Sequence, residues 1–176
     1  MSVHSEGHLG YGIVGGMPAE SQLFSNLVMQ GMLLAVGTTP PAQLTGTGDG
    51  TFYYDMSAGI INVDKTTAEF AAEANTLLET AGDIMASGKS KVYTIVASKD
   101  PRTSVVSKVI IAGAVATTAA QVAPTVAEIE AALPVGASWV FLGSTTINRT
   151  ADTTATQTAT TNLGRPSLIP QTVNRN

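Results

Sequence analysis

The chain has 176 residues, enough for one domain of ordinary size and too few for two large ones. Ala (24), Thr (24) and Gly (17) crowd out large side chains, and only 12% of residues are charged, half the usual share. A net charge of −4 without a basic cluster excludes a generic nucleic-acid binder, and the absence of cysteine excludes disulfides and thiolate metal sites.

Residues 1–64 contain no Lys or Arg, so no secretory or transit signal is expected. The most apolar run, Val109 to Val126, is interrupted by Thr117, Thr118, Gln121 and Pro124, and a membrane span is not expected. Three segments are distinguished: an N-terminal arm and linker (1–50), a β-rich body (51–149) and a Thr-rich C-terminal strand or arm (150–176). Within residues 1–22, six Gly and Pro positions raise the entropic cost of a regular element, which predicts an extended arm. Leu23 to Val36 reads as a short helix or as a strand near Met32 to Val36, and Thr38 to Gly50 as loop.

The body opens with Thr51 to Val63, where aromatic and β-branched residues flank Ser57-Ala58-Gly59 and predict a β-hairpin. Thr66 and Glu69 have capping-box spacing. With Phe70, Ala74, Leu77, Ala81 and Ile84 at helical spacing, they predict a helix from about Thr67, with residues 77–90 open between helix and strand. Lys91 to Ser98 alternates cleanly, Val92, Thr94 and Val96 on one face and Tyr93, Ile95 and Ala97 on the other. A turn at Lys99-Asp100-Pro101-Arg102 then leads to a return strand over Val105 to Val115. A second capping box, Thr125 with Glu128, starts a helix of about ten residues bounded by Pro124 and Pro134. Trp139 to Ile147 reads as strand. From Thr150 to Thr161 seven of twelve residues are Thr, which fits a solvent-facing strand or an arm. The fold class is α+β, mainly β: an antiparallel sandwich-like body with one or two short helices and extended arms. Its core is expected from Phe52, Tyr54, Ile61, Phe70, Leu77, Val92, Val96, Ile110, Ile129, Leu133, Val140 and Leu142.

Several constellations resemble chemistry and each has a plainer reading. Gly10-Tyr11-Gly12-Ile13-Val14-Gly15 matches the dinucleotide fingerprint but lacks the preceding strand of a βαβ unit. Gly88-Lys89-Ser90 ends like a phosphate loop, yet the earlier glycine position holds Asp83, so a tight turn fits better. His4 and His8 near Glu6 would bind a cation only on a helix that the flanking glycines disfavour. No further histidine exists to serve a Ser-His-Asp triad. The carboxylate pairs Glu69 with Glu73 and Glu128 with Glu130 read as solvated helix faces. Asn148-Arg149-Thr150 fits a glycosylation sequon, which has no meaning without secretion. Trp139 and Tyr93 read as core or interface aromatics. No catalytic residue, cofactor or metal is expected, and the chain is not read as an enzyme.

The succession SGKSKVYTIVASKDPRTSVVSKVIIAGAVATT, then VAPTVAEIEAALPVGASWVFLGSTTINRT, then a Thr-rich tail resembles virion structural proteins of tailed bacteriophages, notably small head-decoration and fibre-like proteins. The resemblance implies a β-sandwich-like cement protein, a homotrimer on the capsid surface assembled in the host cytoplasm. Its partner would be the major capsid protein, with no nucleic acid or membrane involved. Leu9, Tyr11, Ile13, Val14 and Met17 of the arm are the expected partner-binding residues. The alternatives are a neck, tail or fibre component contacting the host, and a small ligand-binding module.

Overall fold

In the computed structural model, which describes residues 26–37, 43–44, 50–78, 86–151 and 154–161, the chain builds two antiparallel layers and one helix. Asp64 and Lys65 take left-handed backbone (φ 46° and 62°) and close a two-residue hairpin in which Val63 faces Thr66. Two successive positive φ angles suit the native twist of a hairpin. This turn joins β6 (Gly59–Val63) to β7 (Thr66–Phe70), and β1 (Asn26–Gly31) pairs with the other side of β6.

The same three lines of chain then cross a corner. Beyond Met32 and Leu33 comes β2 (Leu34–Val36), before Ser57 and Ala58 lies β5 (Tyr53–Met56), and beyond residues 71–72 comes β8 (Glu73–Leu77), paired in the order β2-β5-β8. Met32 N–H donates to the Ala58 carbonyl, and Leu33 and Ser57 are cross-bonded, Leu33 N–H to Ser57 Oγ and Ser57 N–H to the Leu33 carbonyl, each at 2.9 Å. Gly59 is required there: a Cβ would lie 2.5 Å from both the Gln30 carbonyl oxygen and the Met32 nitrogen. A short pair, β3 (Gln43–Leu44) with β4 (Gly50–Thr51), lies between β2 and β5.

The second layer has the order β10-β9-β12-β13, from β9 (Lys89–Lys99), β10 (Val106–Ala112), β12 (Ser138–Ala151) and β13 (Thr154–Thr161), with β11 (Ala116–Thr117) on the far end of β9. Alternation along β9 buries both of its faces. Tyr93, Ile95 and Ala97 join Val140, Leu142 and Ile147 against Val28, Met32, Leu34, Tyr54, Met56, Ile61 and Val63 of the first layer. On the opposite face Val96, Ile111 and Trp139 are covered by Ile129 and Leu133 around α1 (Val126–Ala132). Thr125 caps that helix as expected, its hydroxyl accepting from Glu128 N–H while the Glu128 carboxylate accepts from Thr125 N–H.

Side chains, not ladder hydrogen bonds, link the two layers at their margins. On one margin Thr161 Oγ1 accepts from Leu34 N–H at 2.9 Å and donates to the Leu34 carbonyl, while Gln157 Nε2 donates to the Tyr53 carbonyl. On the other, Lys108 of β10 is ion-paired with Glu73 of β8.

The mainly β, sandwich-like architecture matches the expectation, with four local corrections. Residues 51–63 hold two strands, but β5 and β6 pair with other partners and are no hairpin. The helix expected from Thr67 is the strand pair β7 and β8: the left-handed turn at Asp64-Lys65 commits Thr66 and Thr67 to pairing with β6, and Asn75 (φ 51°) is bonded through its N–H to Asp55 Oδ1. Leu77, expected in the core, is 39% exposed, and its neighbour Leu78 is buried instead. In the Leu23–Val36 region, the helix alternative gives way to β1 and β2, which lie within residues 1–50 and supply Val28, Met32 and Leu34 to the core.

Candidate functional site

The five arm residues Leu9, Tyr11, Ile13, Val14 and Met17 lie outside the described residues, as do His4, His8, Glu6 and the glycine-rich fingerprint. The described residues begin at Asn26. Asn26 opens β1 opposite Val63, and its Oδ1 accepts from Asp64 N–H at 2.8 Å. Asp64 is in turn ion-paired with Lys99 at 3.0 Å, and Lys99 Nζ also donates to the Asp64 carbonyl. Lys99 ends β9, faces both Val106 and Ser138, and leads into the Asp100–Val105 turn. In that turn Asp100 Oδ1 accepts from Arg102 N–H, and Asp100 N–H bonds the Val105 carbonyl. Four connections therefore converge on one end of the molecule.

That end is apolar. Val105 is 58% and Val135 72% exposed, and Gly136 lies against Pro101. Beside Val135 a shallow cleft of about 330 Å³ runs along the helix, walled by Ala127, Ala131, Pro134 and Ala137, with Glu130 as its only charged lining group. Large aliphatic side chains held in water around a pocket of small ones form a surface suited to another protein.

The polar groups elsewhere are occupied by structure. Tyr54 donates its hydroxyl to Glu73 Oε2 at 3.2 Å, and Lys108 pairs with the other carboxylate oxygen while its ammonium lies 5.1 Å from the centre of the Phe70 ring. Burial first, then the Glu73 charge and hydrogen bond, push the Tyr54 pKa far above its ordinary value. Glu128 sits below the ordinary carboxylate range because Thr125 donates to it from backbone and side chain. Glu69 and Glu73, expected on one helix face, instead stand on β7 and β8 on either side of the corner, and only Glu73 has a charged partner in this cluster. Gly88 (φ 74°) occupies the turn before β9, consistent with the plainer reading of Gly88-Lys89-Ser90. Asn148 accepts from Gln121, Arg149 is buried, and Trp139 and Tyr93 are core residues. Among the described residues no group of three or more His, Asp or Glu is placed to hold a metal, and no helix is long and apolar enough to cross a membrane.

The polar seam of Tyr54, Glu73 and Lys108 was not foreseen. Tyr54 lies in the core as expected, but Glu73 comes from β8, where a helix is expected, and Lys108 from β10 of the far layer. The fold defines an antiparallel β-sandwich-like domain with one covering helix. No family model, no curated protein and no solved structure matches the chain.

Proposed function

We propose that this is a structural virion protein that decorates and cements a phage capsid through contacts with the major capsid protein, acting as a homotrimer on the capsid surface. The observation that carries the reading is the convergence at one end of the body of the arm's root at Asn26, the exposed Val105 and Val135, and the small-residue cleft beside α1. An end that offers aliphatic contacts, and from which the expected arm of residues 1–22 would reach out, suits attachment to a lattice, where each weak grip is multiplied by the copies in an oligomer.

The test mixes capsids lacking this protein with the intact chain, with a form lacking residues 1–22, and with a Val105→Asp, Val135→Asp variant. Full occupancy and heat resistance are expected with the intact chain alone. Equal occupancy by all three would place the attachment elsewhere on the body and overturn the assignment of this end.

A further inference from the structure

A strand at the edge of a sheet is a template for pairing with another chain unless something blunts it. Among the described strands most edges are blunted. β1 is broken by the bulge between Val28 and Gln30 and ends at Gly31, φ 67°. β2 has three residues, β7 has five and carries the exposed Glu69, and β8 takes a left-handed residue at Asn75, φ 51°. β13 is tied to the first layer through Thr161 on Leu34 and Gln157 on Tyr53.

β10 carries none of these devices. Its seven residues, Val-Ser-Lys-Val-Ile-Ile-Ala, include no Gly or Pro, and its register with β9 runs without a shift from Val106–Lys99 to Ala112–Tyr93. Its one charge, Lys108, is 10% exposed and pairs across the sandwich with Glu73, so the lysine that would guard the edge is already neutralised within the fold.

The two ends of the ladder fix where the backbone groups of β10 point. Asp100 N–H bonds the Val105 carbonyl, and Gly113 N–H bonds the Val92 carbonyl. In this unbroken register the bonded positions are therefore Val105, Ser107, Val109, Ile111 and Gly113, each facing the β9 side. Val106, Lys108, Ile110 and Ala112 aim their N–H and C=O groups the other way, where no described strand lies beyond β10 and no described backbone group bonds them.

This edge is complementary to itself. Antiparallel pairing of two such edges about a two-fold axis puts Val106 opposite Ala112 and Lys108 opposite Ile110, so each outward donor meets an outward acceptor. In that register Val109 meets its own counterpart, and the two lysines do not face one another.

We infer that β10 pairs antiparallel with β10 of a second copy about a two-fold axis at Val109, joining the two second layers into one continuous sheet. The inference does not rest on the virion reading. A two-fold contact is additional to a three-fold one, and on a lattice it would link one trimer to the next.

Single cysteines read the register, in a chain that has no native ones. Val109 and its counterpart would stand as a non-hydrogen-bonded pair with Cα atoms about 4.5 Å apart, within the range a disulfide spans. Ser107 is more exposed and on the same face, but its counterpart would lie about 13 Å further along the strand. Under mild oxidation Val109→Cys is expected to form covalent dimers at least about tenfold faster than Ser107→Cys, with Trp139 emission confirming the fold of both. Equal rates, or faster linking through Ser107→Cys, would overturn the inference. Residue-resolved amide exchange on the unaltered chain, at high and low protein concentration, gives the second reading. The amides of Val106, Lys108, Ile110 and Ala112 are expected to exchange at least about tenfold faster on dilution, while those of Ser107, Val109 and Ile111 stay protected by β9. Protection of the outward amides at every concentration would mean that the same chain covers the edge, and fast exchange at every concentration that nothing does; either would overturn the inference.

Discussion

Replacing Glu73 by Leu should strip Lys108 and Tyr54 of their shared acceptor while leaving their side chains in place. Lys108 is 10% exposed and Glu73 33%, so the ammonium is left with little access to water, and Tyr54 loses its 3.2 Å hydrogen bond. Breaking a buried pair by removing one partner costs about 3 to 5 kcal/mol, and the partial exposure of Glu73 puts this case near 3 kcal/mol. That is a large share of a total stability of about 5 to 15 kcal/mol. With a urea slope of about 2 kcal/mol per molar, the midpoint should fall by about 1.5 M, read from the emission of the single tryptophan, Trp139. The double variant Glu73→Leu, Lys108→Met removes both charges and keeps an aliphatic stem over the Phe70 ring, so it should recover to within about 1 kcal/mol of the parent. A single variant that costs less than about 0.5 kcal/mol, or a double variant as unstable as the single, would refute the argument that this pair closes the seam.

Tyr54 adds an alkaline signature. Its pKa is raised by folding, so its contribution is whole below the unfolded value of about 10 and is lost as pH climbs above it; Tyr54→Phe should flatten the fall in urea midpoint between about pH 9 and about pH 11, and an unchanged slope would contradict the burial argument. Gly59→Ala forces a Cβ onto two backbone atoms at the corner and should cost about 1 to 3 kcal/mol in thermal or urea unfolding, with a neutral result showing that the corner yields.

The second layer was legible because its strands are long and locally paired. Lys91 to Ser98 alternates without interruption, the Asp100 to Val105 turn returns the chain at once, and the observed register from Lys99–Val106 to Tyr93–Ala112 follows from that one turn. The helix was equally plain, since Thr125, Glu128 and the flanking prolines mark both of its ends locally. The first layer was not, because its determinants are distant or unsignalled. Asp64-Lys65 takes two positive φ angles without the glycine that announces such a turn, and the Ala- and Glu-rich run that follows has helix propensity, which pairing with β6 overrides. Ser57-Ala58 looks like a hairpin turn from within because turn residues also serve where a strand changes sheet, and only the partners reveal which.

The same distinction governs the functional surface. Periodicity finds residues that face inward, so it identified Tyr54, Ile61 and Ile129 and could say nothing of Val105 or Val135, whose significance lies in being left outside. The convergence at that end depends on contacts such as Asn26 to Asp64, 38 residues apart, and Asp64 to Lys99, 35 apart, which no local pattern encodes. These two links tie β1 of one layer to β9, an inner strand of the other. They give the edge strand β1 a hold on the Asp64 turn, and through Lys99 on β9, beyond its own ladder with β6.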